Sequence, residues 1–154
     1  MATTHDCTAL TQFTGSKAPY GSGNFSILKF HVDMAAITAE KGITVDGSAS
    51  DVIQLWDIPL GTCILGGYVK VITAEGAAAT VTVGTNAGTE VLVSAVNINS
   101  AGTVGALDLA DTHGAAHMVF ATADTLDLLF ATDSDIDTAV FDVYVYCLFN
   151  EAVQ

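Results

Sequence analysis

From Phe25 to Phe149 the chain runs as short apolar segments, each closed by Gly, Asp, Asn or Ser. No stretch keeps a 3.6-residue period long enough to make a convincing helix. Phe25 to Ala35 sets the pattern: Leu28, Phe30, Val32 and Met34 share one face, and Ile27, Lys29, His31 and Asp33 share the other. Alternation of this kind marks a strand with one face on a core and one toward solvent. Turn signals recur about every 8–12 residues, which points to a sandwich or barrel rather than to alternating strands and helices.

The pattern continues through the chain. Asp51 to Ile58 reads as a strand that Pro59-Leu60-Gly61 stops, because proline cannot donate to a central ladder. Thr62 to Thr73 is a long apolar strand interrupted by Gly66-Gly67, the mark of a bulge or a close backbone approach. Asp46-Gly47 and Glu75-Gly76 read as turns, the second leading into Ala78 to Val83. Thr89 to Val96 reads as a further strand, Val104 to Leu109 is ambiguous, and Ala115 to Thr122 with Thr125 to Ala131 reads as a hairpin. The last strand, Thr138 to Phe149, is apolar on both faces, so it belongs in the middle of a sheet or under a subunit contact. The expectation is an all-β, jelly-roll-like β-sandwich of eight or nine strands over residues 25–154. Residues 1–24 are rich in Thr, Ser, Gly and Ala, have no period, and read as an extended N-terminal arm with Phe13 and Tyr20 as anchors.

Charge narrows the function. Arginine is absent, four lysines face seventeen carboxylates, and the net charge is −13. Nucleic-acid affinity rests on Lys and Arg contacts to phosphate, so no nucleic-acid partner is expected. Docking on an anionic membrane is disfavoured for the same reason, and no run of eighteen apolar residues spans a bilayer. No secretory signal is visible at the N-terminus. Charged residues make up only 14% of the chain, against about 25% in ordinary domains. So little charge leaves surface for other subunits to cover, and a homo-oligomer is expected. Cys7, Cys63 and Cys147 are far apart and odd in number, with no zinc spacing, and read as free thiols.

Few residues suggest chemistry. His113 and His117 lie four apart, but on a strand that separates them by about 13 Å, too far for a shared metal. Asp133, Asp135 and Asp137 alternate as at the start of a calcium loop, yet Thr138 and Tyr144 stand where its glycine and glutamate belong. A solvated acidic tip is the simpler reading, with a cation site as the alternative. His31, on the polar face of the first strand, is either solvated or at a subunit contact. Trp56, the sole tryptophan, suits a buried place between sheets, with a sugar-stacking platform or an interface anchor as functional alternatives. No nucleophile elbow and no phosphate-cradling loop with a lysine occurs, so neither an enzyme nor a cofactor is expected.

Asp51-Val52-Ile53-Gln54-Leu55-Trp56-Asp57-Ile58-Pro59-Leu60-Gly61-Thr62, followed by Leu65-Gly66-Gly67-Tyr68-Val69, resembles a strand–turn–strand unit of tailed-bacteriophage β-sandwich virion proteins. Asp137-Thr138-Ala139-Val140-Phe141-Asp142-Val143-Tyr144-Val145 resembles their last strand. The resemblance covers residues 25–149. It implies a capsid decoration or cement protein that binds the major capsid protein on the outer surface of the head, often as a trimer, bridges capsomers and carries no catalytic residues. The alternatives are a carbohydrate-binding module on a virion spike and a tail or neck component.

Overall fold

The fold is that of a computed structural model, which describes residues 1–10, 17–18, 25–85, 90–106, 120, 122–133 and 135–149. In chain order the strands are β1 (Thr4–Asp6), β2 (Lys17–Ala18), β3 (Phe25–Asp33), β4 (Val52–Ile58), β5 (Cys63–Thr73), β6 (Thr80–Thr85), β7 (Glu90–Asn97), β8 (Val104–Ala106), β9 (Asp124–Ala131) and β10 (Val140–Leu148). One helix, α1 (Met34–Lys41), lies between β3 and β4. Nine of these strands have three residues or more, and β2 has two, in agreement with the expected eight or nine.

Pairing is nested. β3 pairs with β10, β4 with β9, β5 with β8 and β6 with β7, all antiparallel. Joining those pairs through β10–β5 and β9–β6 gives two sheets, β2-β3-β10-β5-β8 and β1-β4-β9-β6-β7. Eight strands folded back in this nested order and wrapped into two sheets make a jelly roll. β10 sits in the middle of its sheet, which accounts for its apolar groups on both faces.

The core lies between the sheets. Leu28, Phe30 and Val32 of β3 with Phe141, Val143, Val145 and Cys147 of β10 supply it from one sheet, and Leu126, Leu128 and Phe130 of β9 with Val81 and Val83 of β6 from the other. Ring contacts cross the gap: Phe30 to Trp56 at 6.0 Å, and Phe130 to Phe141 edge-on at 6.5 Å. At the β8 edge the approach is closer. A Cβ on Gly105 would overlap Val96 Cγ2 and lie 3.2 Å from Val93 Cγ1, so glycine is what lets β8 close down over β7.

Two departures from the sequence reading concern the first third of the chain. Met34–Lys41, whose first two residues read as the end of the Phe25 to Ala35 strand, is a helix. Asp33 caps it by accepting from the Ala36 N–H at 3.0 Å. Gly42, left-handed at φ 63°, ends it, with the Gly42 and Ile43 N–H groups both donating to the Thr38 carbonyl. Met34 and Ile37 fill the base of the core, which is what holds so short a helix.

The second departure is in the segment read as an arm. β1 adds to β4 in parallel, and Cys7 and Leu10 are core residues, 0% and 2% exposed. β2 pairs with β3 in the other sheet. The sandwich therefore begins well before residue 25. The Asp51 carboxylate fixes the junction by accepting from the Thr3 N–H at 2.7 Å and the Asp46 N–H at 3.0 Å, with His5 Nε2 at 3.4 Å. Burial alone would raise the Asp51 pKa, but these donors outweigh it and hold the carboxyl below the ordinary aspartate value. Phe13 and Tyr20 lie outside the described residues.

Candidate interaction face

The outer face of sheet β2-β3-β10-β5-β8 concentrates the side chains that could recognise something. Alternation turns Leu28, Phe30 and Val32 inward and leaves Phe25, Ile27, Lys29 and His31 outside. On β10 the same alternation leaves Val140, Asp142, Tyr144, Tyr146 and Leu148 outside. Tyr68, Lys70 and Ile72 come from β5, and Val104 and Ala106 from β8.

At its centre is a polar cluster assembled from two strands paired in register. Asp142 stands opposite His31 on one side and Lys70 on the other. Its carboxylate lies 2.8 Å from Lys29 Nζ and 2.8 Å from His31 Nδ1, which act as donors, and 3.4 Å from the Tyr144 hydroxyl. Asp142 is only 5% exposed, whereas the Lys29 and His31 side chains are about half exposed. Burial would push the Asp142 carboxyl up, yet the hydrogen bonds from Lys29 and His31 prevail and hold it below the usual aspartate value. The hydrogen bond to Asp142 raises the Lys29 ammonium in turn.

Tyrosines flank the cluster. Tyr68 and Tyr144 stack at 4.5 Å and 16° between ring planes, with Lys29 Nζ 5.6 Å from the Tyr144 centroid. Tyr146 lies over Gly66, where a Cβ would sit 3.7 Å from its Cδ2. The ladder also slips between Tyr146 and Cys147, so Gly66-Gly67 marks both a bulge and a close approach. Apolar side chains complete the face. Phe25 and Leu148 are paired across β3 and β10, and Ile72 and Val104 are diagonal neighbours on β5 and β8. These are four of the six large apolar side chains exposed among the described residues, the others being Met1 and Leu60.

His31 is thus the one sequence-derived candidate that the structure places on this face. Trp56 is not on a surface. It is 4% exposed, packed against Phe30 and edge-on to Phe149 at 6.2 Å, so neither ring face is open as a sugar platform or an anchor. Asp133, Asp135 and Asp137 do not converge: among the described residues no group of three His, Cys, Asp or Glu side chains could hold a metal ion. The segment is drawn inward instead by Ile136, fully buried, whose N–H donates to the Val45 carbonyl at 2.9 Å. His113 and His117 lie outside the described residues. The three thiols are free, and burial pushes Cys7 up to about 11 and Cys147 up to about 12. No helix among the described residues is long and apolar enough to cross a membrane.

Sequence reasoning missed Lys29, Lys70, Asp142 and the three tyrosines as a group. Each stood on the solvent side of an alternating strand, but only the pairing of β10 with both β3 and β5 brings them together.

No protein-family model matches the sequence, and no curated protein matches it. Two solved structures do share its fold. One is the capsid of Ralstonia phage GP4, with a chain 13% identical at a TM-score of 0.55, the match covering 86% of this chain and 89% of that one. The other is the cyanophage Pam1 capsid asymmetric unit, with a chain 16% identical at a TM-score of 0.51, covering 86% of this chain and 91% of that one. What the likeness carries is the architecture: the chain is a jelly roll of the same fold as chains from these two phage capsid structures.

Proposed function

We propose that this chain is a structural protein of a bacteriophage particle, a decoration or cement protein that seats on the outer surface of the head, bridges capsomers of the major capsid protein and works without catalysis. The observation that carries the reading is the nested two-sheet jelly roll, shared over 86% of the chain with chains from two phage capsid structures. The acidic balance supports it, since a chain of net charge −13 is kept off packaged nucleic acid and suits an external position.

The mechanism is linkage. A protein that binds only the assembled shell lowers the free energy of that state, and each tenfold rise in free protein above its Kd adds about 1.4 kcal/mol per site. Contacts repeated over many identical sites accumulate through multivalency. The homotrimer and the contacts of Phe13 and Tyr20 with the shell belong to this proposal.

The test is reconstitution. Purified chain is added to particles stripped of it, and the particles are pelleted and heated. Saturable occupancy with a higher temperature of genome release is expected. Pelleting without the chain at any concentration would remove the decoration reading.

A further inference from the structure

The charge of the molecule is divided between its two sheets. The strands of β1-β4-β9-β6-β7 carry Asp6, Asp57, Glu90, Asp124 and Asp127 and no lysine. The strands of β2-β3-β10-β5-β8 carry Lys17, Lys29 and Lys70, three of the chain's four lysines, against Asp33 and Asp142. Asp33 faces α1 as its cap, and Asp142 is covered and bonded to Lys29 and His31. The outer face of this sheet therefore presents Lys29, His31 and Lys70 among tyrosines and exposed Phe25, Ile72, Val104 and Leu148, with no exposed carboxylate of its own.

The face is also large enough to hold a partner. Five strands about 4.8 Å apart, of which the central three are nine to eleven residues long, span at most roughly 20 by 30 Å, on the order of 600 Å² in projection. A standard interface buries about 800 Å² of accessible surface per partner, and accessible area exceeds projected area. Tyrosines at the centre, apolar groups around them and few exposed charges are also the composition of interface cores.

We propose that this face docks a second copy of the same chain, against carboxylates of its opposite sheet around Asp6 and Asp57. Two chains of charge −13 repel as whole bodies, so their contact needs a surface where cations outnumber exposed carboxylates, as they do on this face among the described residues. The best complement that the chain itself supplies is the lysine-free sheet, where Asp6 at the end of β1 and Asp57 near the end of β4 are exposed on its outer side. A contact between two unlike faces is heterologous, and it closes into a ring when the rotation between copies allows. The inference rests on the virion reading only in that it names the contact by which such copies would assemble.

The full chain is examined by sedimentation velocity over a hundredfold range of concentration, beside Lys70→Glu, the double variant Lys29→Glu/Lys70→Glu, and Lys41→Glu as a control. Lys70 and Lys41 are both exposed, and Lys41, at the end of α1, is off the face. The parent should form a closed oligomer. Lys70→Glu should raise the midpoint concentration at least tenfold, and the double variant further. Lys41→Glu, with the same change in net charge, should leave the midpoint within twofold. Circular dichroism should show Lys70→Glu folded as the parent. A parent that stays monomeric overturns the contact, as does an oligomer indifferent to Lys70→Glu or weakened equally by Lys41→Glu. Because particle binding is read separately by pelleting, a monomeric chain that still occupies particles would sink this contact and leave the virion reading standing.

Discussion

Single buried groups decide how firmly distant segments are joined, and Glu75 is the clearest. Its carboxylate accepts from the Gly76 N–H at 3.0 Å, the Thr138 N–H at 3.1 Å, the Ala139 N–H at 3.0 Å and the Thr138 hydroxyl. It thereby ties the turn after β5 to the start of β10. Burial would raise its pKa, but the four donors outweigh that and keep it below the ordinary 4.5. A carboxyl depressed on folding stabilises fully above its unfolded value and loses that contribution as pH falls through the folded one. Glu75→Gln should therefore lower unfolding stability by about 1–3 kcal/mol at pH 7. The gap should narrow as pH drops below 4.5 and through the folded value, a trend that urea titrations at a series of pH values would read. A gap that stays constant would mean that the charge plays no part. Gly105 acts by its lack of a side chain. Gly105→Val should cost about 1–3 kcal/mol through overpacking against Val93 and Val96, visible as a lower urea midpoint with an unchanged slope.

Among elements, what could be read locally was read well and what depended on distant partners was not. Alternation marked β3 because its own residues carry the two-residue period, continuous apolar runs marked β4 and β10, and Gly66-Gly67 announced the slip under Tyr146. α1 escaped because eight residues with only Met34 and Ile37 buried give too short an amphipathic signal. Its boundaries, Asp33 and Gly42, were present in the sequence, but Asp33 passed for a strand residue. Asp33→Ala should cost about 1 kcal/mol by removing the cap, measured by thermal unfolding. β1 escaped for a different reason. Cys7 and Leu10 are two apolar residues in a polar stretch, and their burial depends on pairing with β4, forty-eight residues on. Leu10→Ala should destabilise the sandwich by about 2–5 kcal/mol, a cavity-sized loss that a free arm would not show. The candidate face was illegible on the same grounds, since His31 and Asp142 meet across 111 positions of sequence.

For the whole molecule, a jelly roll supplies two broad outer faces and a sealed interior. Here the interior is filled by side chains from both sheets, Trp56 included, and chemistry is left to the surface. The two faces differ in charge and in exposed apolar content, which makes the body directional: one side suits an acidic neighbour and the other repels it. Such a body suits the place in a repeating shell proposed for it. The same division of charge predicts that binding to particles weakens when Lys29 and Lys70 are both reversed, while the melting temperature of Lys70→Glu alone stays within about 2 °C of the parent, as for surface substitutions. The most direct measurement is a cryo-electron-microscopy reconstruction of the particle that carries this chain. The account predicts two-sheet density outside the head shell, with the β3-β10-β5 face turned against a neighbouring subunit. Density for the chain inside the shell, or intact particles that lack it altogether, would contradict it.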